Sequence, residues 1–143
     1  MSQIDFSQII TAEAQMAARL DLARTAALAR LTEMIDAETL ALTGAVPLVE
    51  QLAWAGKEAA ARAVLAGTAS GEQHGDLAAE ALLAGEPVND LAQKIIARAD
   101  LFRAGVARLS GLRRQAAAAI ALCRSPEDVA IAVADLSERL GAA

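Results

Sequence analysis

From Ile95 to Ile120 the residues Ile95, Ala99, Phe102, Val106, Leu109, Ala116 and Ile120 follow at intervals of 4, 3, 4, 3, 7 and 4. A strand alternates every second residue. These intervals instead keep one face of an α-helix apolar for about seven turns, which is the pattern of a helix packed on other helices.

The rest of the chain repeats the message. Leu20, Ala27 and Met34 recur every seven residues, and Leu28, Leu31, Ile35 and Leu42 form a second row beside them. Together they make an apolar face wider than a strict coiled-coil seam. Asp5-Phe6-Ser7 offers one start for this first helix, and Thr11 followed by Glu13 offers another. Gly44, with Pro47 three residues on, predicts its end. A second helix is expected from about Pro47 to Ala66, with Leu48, Leu52, Ala55, Ala59 and Ala63 on its packed face and Trp54 beside it. Gly56 weakens its middle, where a bend is expected.

The glycines of Gly67-Thr68-Ala69-Ser70-Gly71-Glu72-Gln73-His74-Gly75 predict the main loop. A short helix over Asp76–Ala84 follows, ending at Gly85-Glu86-Pro87. Asn89 is the expected cap of the fourth helix, which carries the Ile95–Ile120 face, with a kink or close crossing expected at Gly105 and Ser110-Gly111. Ser125-Pro126-Glu127-Asp128 supplies a cap, a first-turn proline and two acids for a fifth. Val129, Val133, Leu136 and Leu140 are its apolar face, and Gly141 closes it. No strand and no internal repeat is apparent. The expected class is all-α: a helical bundle or elongated helical assembly of about four to five helices, two of them long, without a sheet. Residues 1–143 are expected to form a single helical domain, with the 67–75 stretch as the place where it could divide.

Alanine explains how such helices would pack. Hydrophobic residues make up 55 % of the chain but aromatics only 2 %, and alanine is the largest share of them, close to half. Alanine favours helix and close approach but removes little area from water. A core this thin can be completed by a protein partner or by a second copy of the chain.

The net charge of -5 at pH 7 argues against a nucleic-acid partner, which requires a Lys/Arg footprint. Charge is nevertheless uneven. From Leu101 onward Arg103, Arg108, Arg113, Arg114, Arg124 and Arg139 face four acids, either a solvated face or a docking surface for an acidic partner. No stretch approaches eighteen consecutive apolar residues, so no membrane span is expected, and the opening Met1-Ser2-Gln3-Ile4-Asp5 lacks the basic and apolar run of a secretion signal. The expected location is the cytoplasm of the producing cell.

Catalytic and metal templates fail one by one. A single histidine, His74, and a single cysteine, Cys123, do not build a zinc site, and no Glu stands three residues before His74 to begin a di-iron pair. The glycines of 67–75 are followed by no Gly-Lys-Ser/Thr. Asp90, Asp100 and Glu86 are read as helix-start acids, Cys123 as a small buried hydrophobe, and no cofactor is expected. What remains is surface. Trp54, Arg103, Arg108, Arg113 and Arg114 are the candidate interface residues. Leu20, Leu28, Leu31, Ile35, Ile95, Phe102, Val106, Leu109 and Ile120 are the candidate helix-packing stripe. The first-helix and fourth-helix rows are expected to bury against each other. Trp54 has two readings, an anchor at the edge of the core or an interface hot spot.

Three segments carry a resemblance. Ile4-Asp5-Phe6-Ser7-Gln8-Ile9-Ile10-Thr11-Ala12-Glu13-Ala14 resembles the starts of small Ala-rich helical proteins of tailed-phage and prophage tail modules. Glu50–Ala63, centred on Trp54, is similar to a segment of such proteins, as Leu91–Ile120 is to their C-terminal helix. The resemblance implies a non-enzymatic tail component or fibre-assembly helper, with a phage tail or fibre protein as partner and the virion as a second location. The alternative is a self-assembling helical homo-oligomer unrelated to phage.

Overall fold

The structure, a computed structural model, describes residues 11–142. The chain is all-α. Five helices follow in order: α1 (Ala12–Thr43), α2 (Leu48–Ala66), α3 (Gly71–Ala84), α4 (Val88–Leu122) and α5 (Pro126–Gly141). Among the described residues there is no strand. The start expected at Asp5-Phe6-Ser7 lies outside the described residues.

Helix ends follow local chemistry. Thr11 caps α1, its Oγ1 accepting from the Ala14 N–H at 3.1 Å. Three helices stop where a glycine takes the left-handed conformation that other residues resist: Gly44, Gly67 and Gly85, with φ near +70°. After α2, the Thr68 N–H donates to Ala63 O at 2.9 Å and Gly67 N–H to Val64 O at 3.1 Å, satisfying carbonyls that would otherwise be orphaned. Ser125 caps α5 through its side chain, which accepts from the Asp128 N–H at 3.1 Å, and Pro126 opens the helix.

Several boundaries differ from expectation. The predicted 67–75 loop is mostly helix. Ser70 Oγ accepts from the Gln73 N–H at 3.2 Å, while Gln73 Oε1 accepts from the Ser70 N–H at 3.0 Å. This reciprocal capping box starts α3 at Gly71, so Gly71, His74 and Gly75 are helical. Pro47 sits at the cap position of α2 rather than in its first turn. Asn89 lies within α4, which begins at Val88 with the Leu91 N–H donating to Pro87 O. Helices α2 and α4 run unbroken through Gly56, Gly105 and Gly111.

The chain forms two compact units. One takes the described residues up to Thr39 together with those from Leu109 on, and the other is Leu40–Arg108, which contains the 67–75 stretch. The core of the first is Ala27, Leu31, Leu109, Leu112, Ala116, Ile120, Cys123, Val129, Leu136 and Leu140, with Leu20, Met34 and Ile35 packed on it. Ala27 and Leu31 stand one turn apart on α1, which places both inward. Leu28 is one residue, or about 100°, further round from Ala27 and is exposed, so it leaves the expected stripe. Arg24 closes this unit near the end of α4, its Nη2 donating to Ala121 O at 3.2 Å and Cys123 O at 2.6 Å.

The second core is Ala60, Ala61, Leu77, Ala81, Leu91 and Ala92, flanked by Val64, Val88, Ile95 and Ile96. Four of its six buried residues are alanines, as the composition suggested. The expected burial of the first-helix row against the fourth-helix row therefore holds for only part of α4. Leu109, Ala116 and Ile120 join α1 residues, whereas Ile95 packs with α2 and α3 residues instead. Val106 is exposed, one residue round from Gly105, the residue that lies under Leu42.

Candidate functional site

Helix α2 presents two different faces. Trp54, Lys57, Glu58, Ala60, Ala61 and Val64 are buried or half-buried. The expected packed row is mostly on the other side: Leu48, Leu52, Ala55 and Ala59 are exposed, and only Ala63 is half-buried. The correction has a simple cause. Alanine at 60 and 61 lets the α2 backbone come close to its neighbours, and Lys57 and Glu58 on the same side find ion-pair partners there. Leu48 is 69 % exposed, Val49 77 % and Leu52 76 %, a large apolar surface held in water within about one and a half turns.

On the inward side, the Trp54 and Phe102 rings meet edge to face, centroids 5.4 Å apart and planes at 76°. The positive edge of one ring against the negative face of the other makes this arrangement favourable. Both rings are half-buried, so Trp54 combines an inward packing contact with remaining exposure.

One turn beyond Trp54 the ionic groups close a ring between α2 and α4. Glu58 Oε1 accepts from Arg62, at 2.9 Å from its Nε, and from Arg103 Nη2. Asp100 Oδ1 accepts from Arg62 Nη2 at 2.7 Å and from Arg103 Nη1 at 3.2 Å. Two acids and two arginines thus alternate, and the ring is neutral. The hydrogen bonds from Arg103 and Arg62 hold the Glu58 carboxyl below its ordinary pKa of 4.5. Those to Glu58 and Asp100 raise the pKa of Arg62. Elsewhere, Lys57 Nζ meets Glu80 Oε2 of α3 at 2.8 Å, and Lys94 pairs with Glu86.

These contacts sort the residues selected from the sequence. Arg103 belongs to the ring and lies beside the aromatic pair through Phe102. Asp100 is a ring member and Glu86 an ion-pair partner, rather than helix-start acids. Arg108 falls in the second unit and is exposed. Arg113 and Arg114 are exposed on the first unit. Glu58 and Arg62 were not selected. Their four-residue spacing marked an ion pair, but nothing marked Asp100, 38 residues from Arg62, as the ring's other acid.

His74 is exposed on α3. Cys123 is a buried thiol whose Sγ donates to Ala119 O at 3.2 Å. In the first unit, a cleft of about 100 Å³ between α4 and α5 is lined by Gln115, Ala116, Ala119, Ala132, Asp135, Leu136 and Arg139. Its charged members, Asp135 and Arg139, face each other at 3.7 Å. Among the described residues no three His, Cys, Asp or Glu side chains gather as a metal site, and no helix is long and apolar enough to cross a membrane. Comparison with protein-family models, with curated proteins and with solved structures gave no match.

Proposed function

We propose that this chain is a non-enzymatic protein of a tailed-phage or prophage tail module, a tail component or fibre-assembly helper that works by helix-face contacts. The observation that carries the reading is the outward row of α2. Leu48, Val49 and Leu52 stay about three-quarters in water although the opposite face of the same helix is packed. Exposed apolar surface of this kind gains free energy when a partner removes it from water, roughly 25 cal/mol per Å². The phage setting comes from the resemblance of the Ile4–Ala14, Glu50–Ala63 and Leu91–Ile120 segments, the second of which contains Leu52 of this row.

In this reading the inward side of α2 keeps the helix rigid. The Trp54–Phe102 contact and the Glu58–Arg62–Asp100–Arg103 ring tie it to α4, so the outward row is presented on a fixed support. A rigid face loses less conformational freedom on binding than a mobile one.

The test is quantitative peptide mass spectrometry on particles induced from the source strain, measured against a capsid protein. A fixed stoichiometry supports a tail component. Presence in the lysate with absence from particles supports an assembly helper, and particles that form normally with the gene deleted overturn both. Leu52→Glu, at an exposed site, should lower incorporation or fibre assembly at least tenfold while leaving the helical signal unchanged.

A further inference from the structure

We infer that the outward row of α2 takes the same row of a second copy of this chain, paired antiparallel about a two-fold axis at Ala55 and Gly56. This rests on the reading that the outward row is a contact face, and it names the occupant. The row has a bulky end and a small end. Leu48 and Leu52 are exposed on one side of Ala55-Gly56, and Ala59 is exposed on the other, with Ala63 a turn beyond. Turning a second helix end for end about the midpoint of 55 and 56 sets Leu52 opposite Ala59 and Leu48 opposite Ala63. Every leucine of one copy then meets an alanine of the other, twice over, as an isologous interface requires. A parallel pairing would stack leucine on leucine at one end and leave alanines apart at the other.

The centre of the row allows the close approach this needs. A Cβ placed on Gly56 would meet nothing within 4 Å, so the space above it is open to the partner's backbone. No charged residue lies among 48, 52, 55, 56, 59 and 63, and Arg62, which the same turn sets level with Val49 of the second copy, is already paired with Glu58 and Asp100 of its own. The area fits a reversible dimer. Three-quarters of a Leu or Val side chain is on the order of 100 Å² of apolar surface, and the flanking alanines bring each copy to roughly 400–500 Å². Two copies together come close to the approximately 1,000 Å² that a specific interface needs.

The geometry sets the test. In full-length chain carrying Cys123→Ala, a cysteine at Ala55 sits beside its own copy across the axis, within disulfide reach. A cysteine at Leu48 lies about 15 residues, or roughly 22 Å along the helix, from its copy. Ala55→Cys should oxidise to a covalent dimer, Leu48→Cys should not, and a mixture of Leu52→Cys and Ala59→Cys chains should cross-link to each other. Sedimentation equilibrium should show a concentration-dependent dimer, and Ala59→Glu, at an exposed site that leaves the fold alone, should weaken it at least tenfold. A chain monomeric at millimolar concentration overturns the inference. Equal cross-linking at Ala55 and Leu48 also does so, by making the pairing parallel or unspecific. Particle incorporation is read separately, so a dimer that is absent from particles removes the phage setting and leaves the pairing intact.

Discussion

Arg24 Nη2 stands 2.6 Å from the carbonyl oxygen of Cys123, 99 residues further along the chain, and donates to it. The same nitrogen reaches Ala121 O at 3.2 Å, while Nη1 lies 3.6 Å from Asp21. The last carbonyls of a helix carry its negative pole and lack intrahelical donors. Arg24 therefore gives the end of α4 the cation it does not supply itself, since its last turn holds no basic residue. The Nε is buried without a partner, which offsets part of the gain.

Arg24→Met keeps the aliphatic stem and removes the donors. Its side chain is about a third exposed, so the expected loss is about 1–2 kcal/mol in urea unfolding. Arg24→Lys should recover less than half, because an ammonium lacks the planar fork that reaches two carbonyls. Equal stability of wild type and Arg24→Met would show that the cap contributes nothing.

Glycines within α4 separate helix propensity from space. Around Gly111 an added Cβ meets nothing within 4 Å, so Gly111→Ala should stabilise by about 0.5–1 kcal/mol. At Gly105 the same methyl would come within 2.6 Å of Leu42 Cδ2. Leu42 is partly exposed and its end can swing aside, so Gly105→Ala should gain less than Gly111→Ala or lose slightly. Thermal unfolding of both variants orders them.

The Glu58 ring predicts an acid dependence. A carboxyl whose folded pKa lies below its unfolded value stabilises the fold above the unfolded pKa. That contribution declines as pH falls below the ordinary 4.5 and is gone once pH has passed the lowered folded value. Urea midpoints of wild type should therefore fall more steeply between pH 5 and the acid limit than those of Glu58→Gln, and added salt should shrink the difference. Parallel curves would mean that the ring is formed without stabilising.

Ser70→Ala removes one half of the capping box and should cost about 1 kcal/mol. Hydrogen exchange locates the effect: the amide of Gln73 should lose protection, while those of the α5 start, capped by Ser125, should not. Uniform loss across both helices would indicate global destabilisation instead.

Much of the fold was legible because it is written locally. Gly44, Gly67 and Gly85 end helices where their sequence context said they would, and Ser125-Pro126 reads directly as a helix start. The signal for α3 was equally local: Ser70 and Gln73 have the spacing of a capping box, but the glycines around them outweighed it. The face of α2 was a different kind of error. Periodicity identifies a packed side by contrast with a polar one, and on α2 the contrast points the wrong way, because Lys57 and Glu58 stand on the packed side with Ala60 and Ala61 while Leu48 and Leu52 stand on the other. The ring and the Arg24 cap depend on distances across the fold, 38 residues from Arg62 to Asp100 and 97 from Arg24 to Ala121, which no local spacing encodes.

The division of the chain also orders its birth. Leu40–Arg108 is contiguous, so every residue of that unit has been synthesised once Arg108 has been added. The other unit is built from both sides of it. Ala27 and Leu31 are made before it, yet the residues that cover them, from Leu109 to Leu140, come only after it. Each new chain therefore carries an uncovered apolar face of α1 throughout the synthesis of Leu40–Arg108, a window in which a chaperone or a neighbouring nascent chain competes with the rest of the molecule for the same surface.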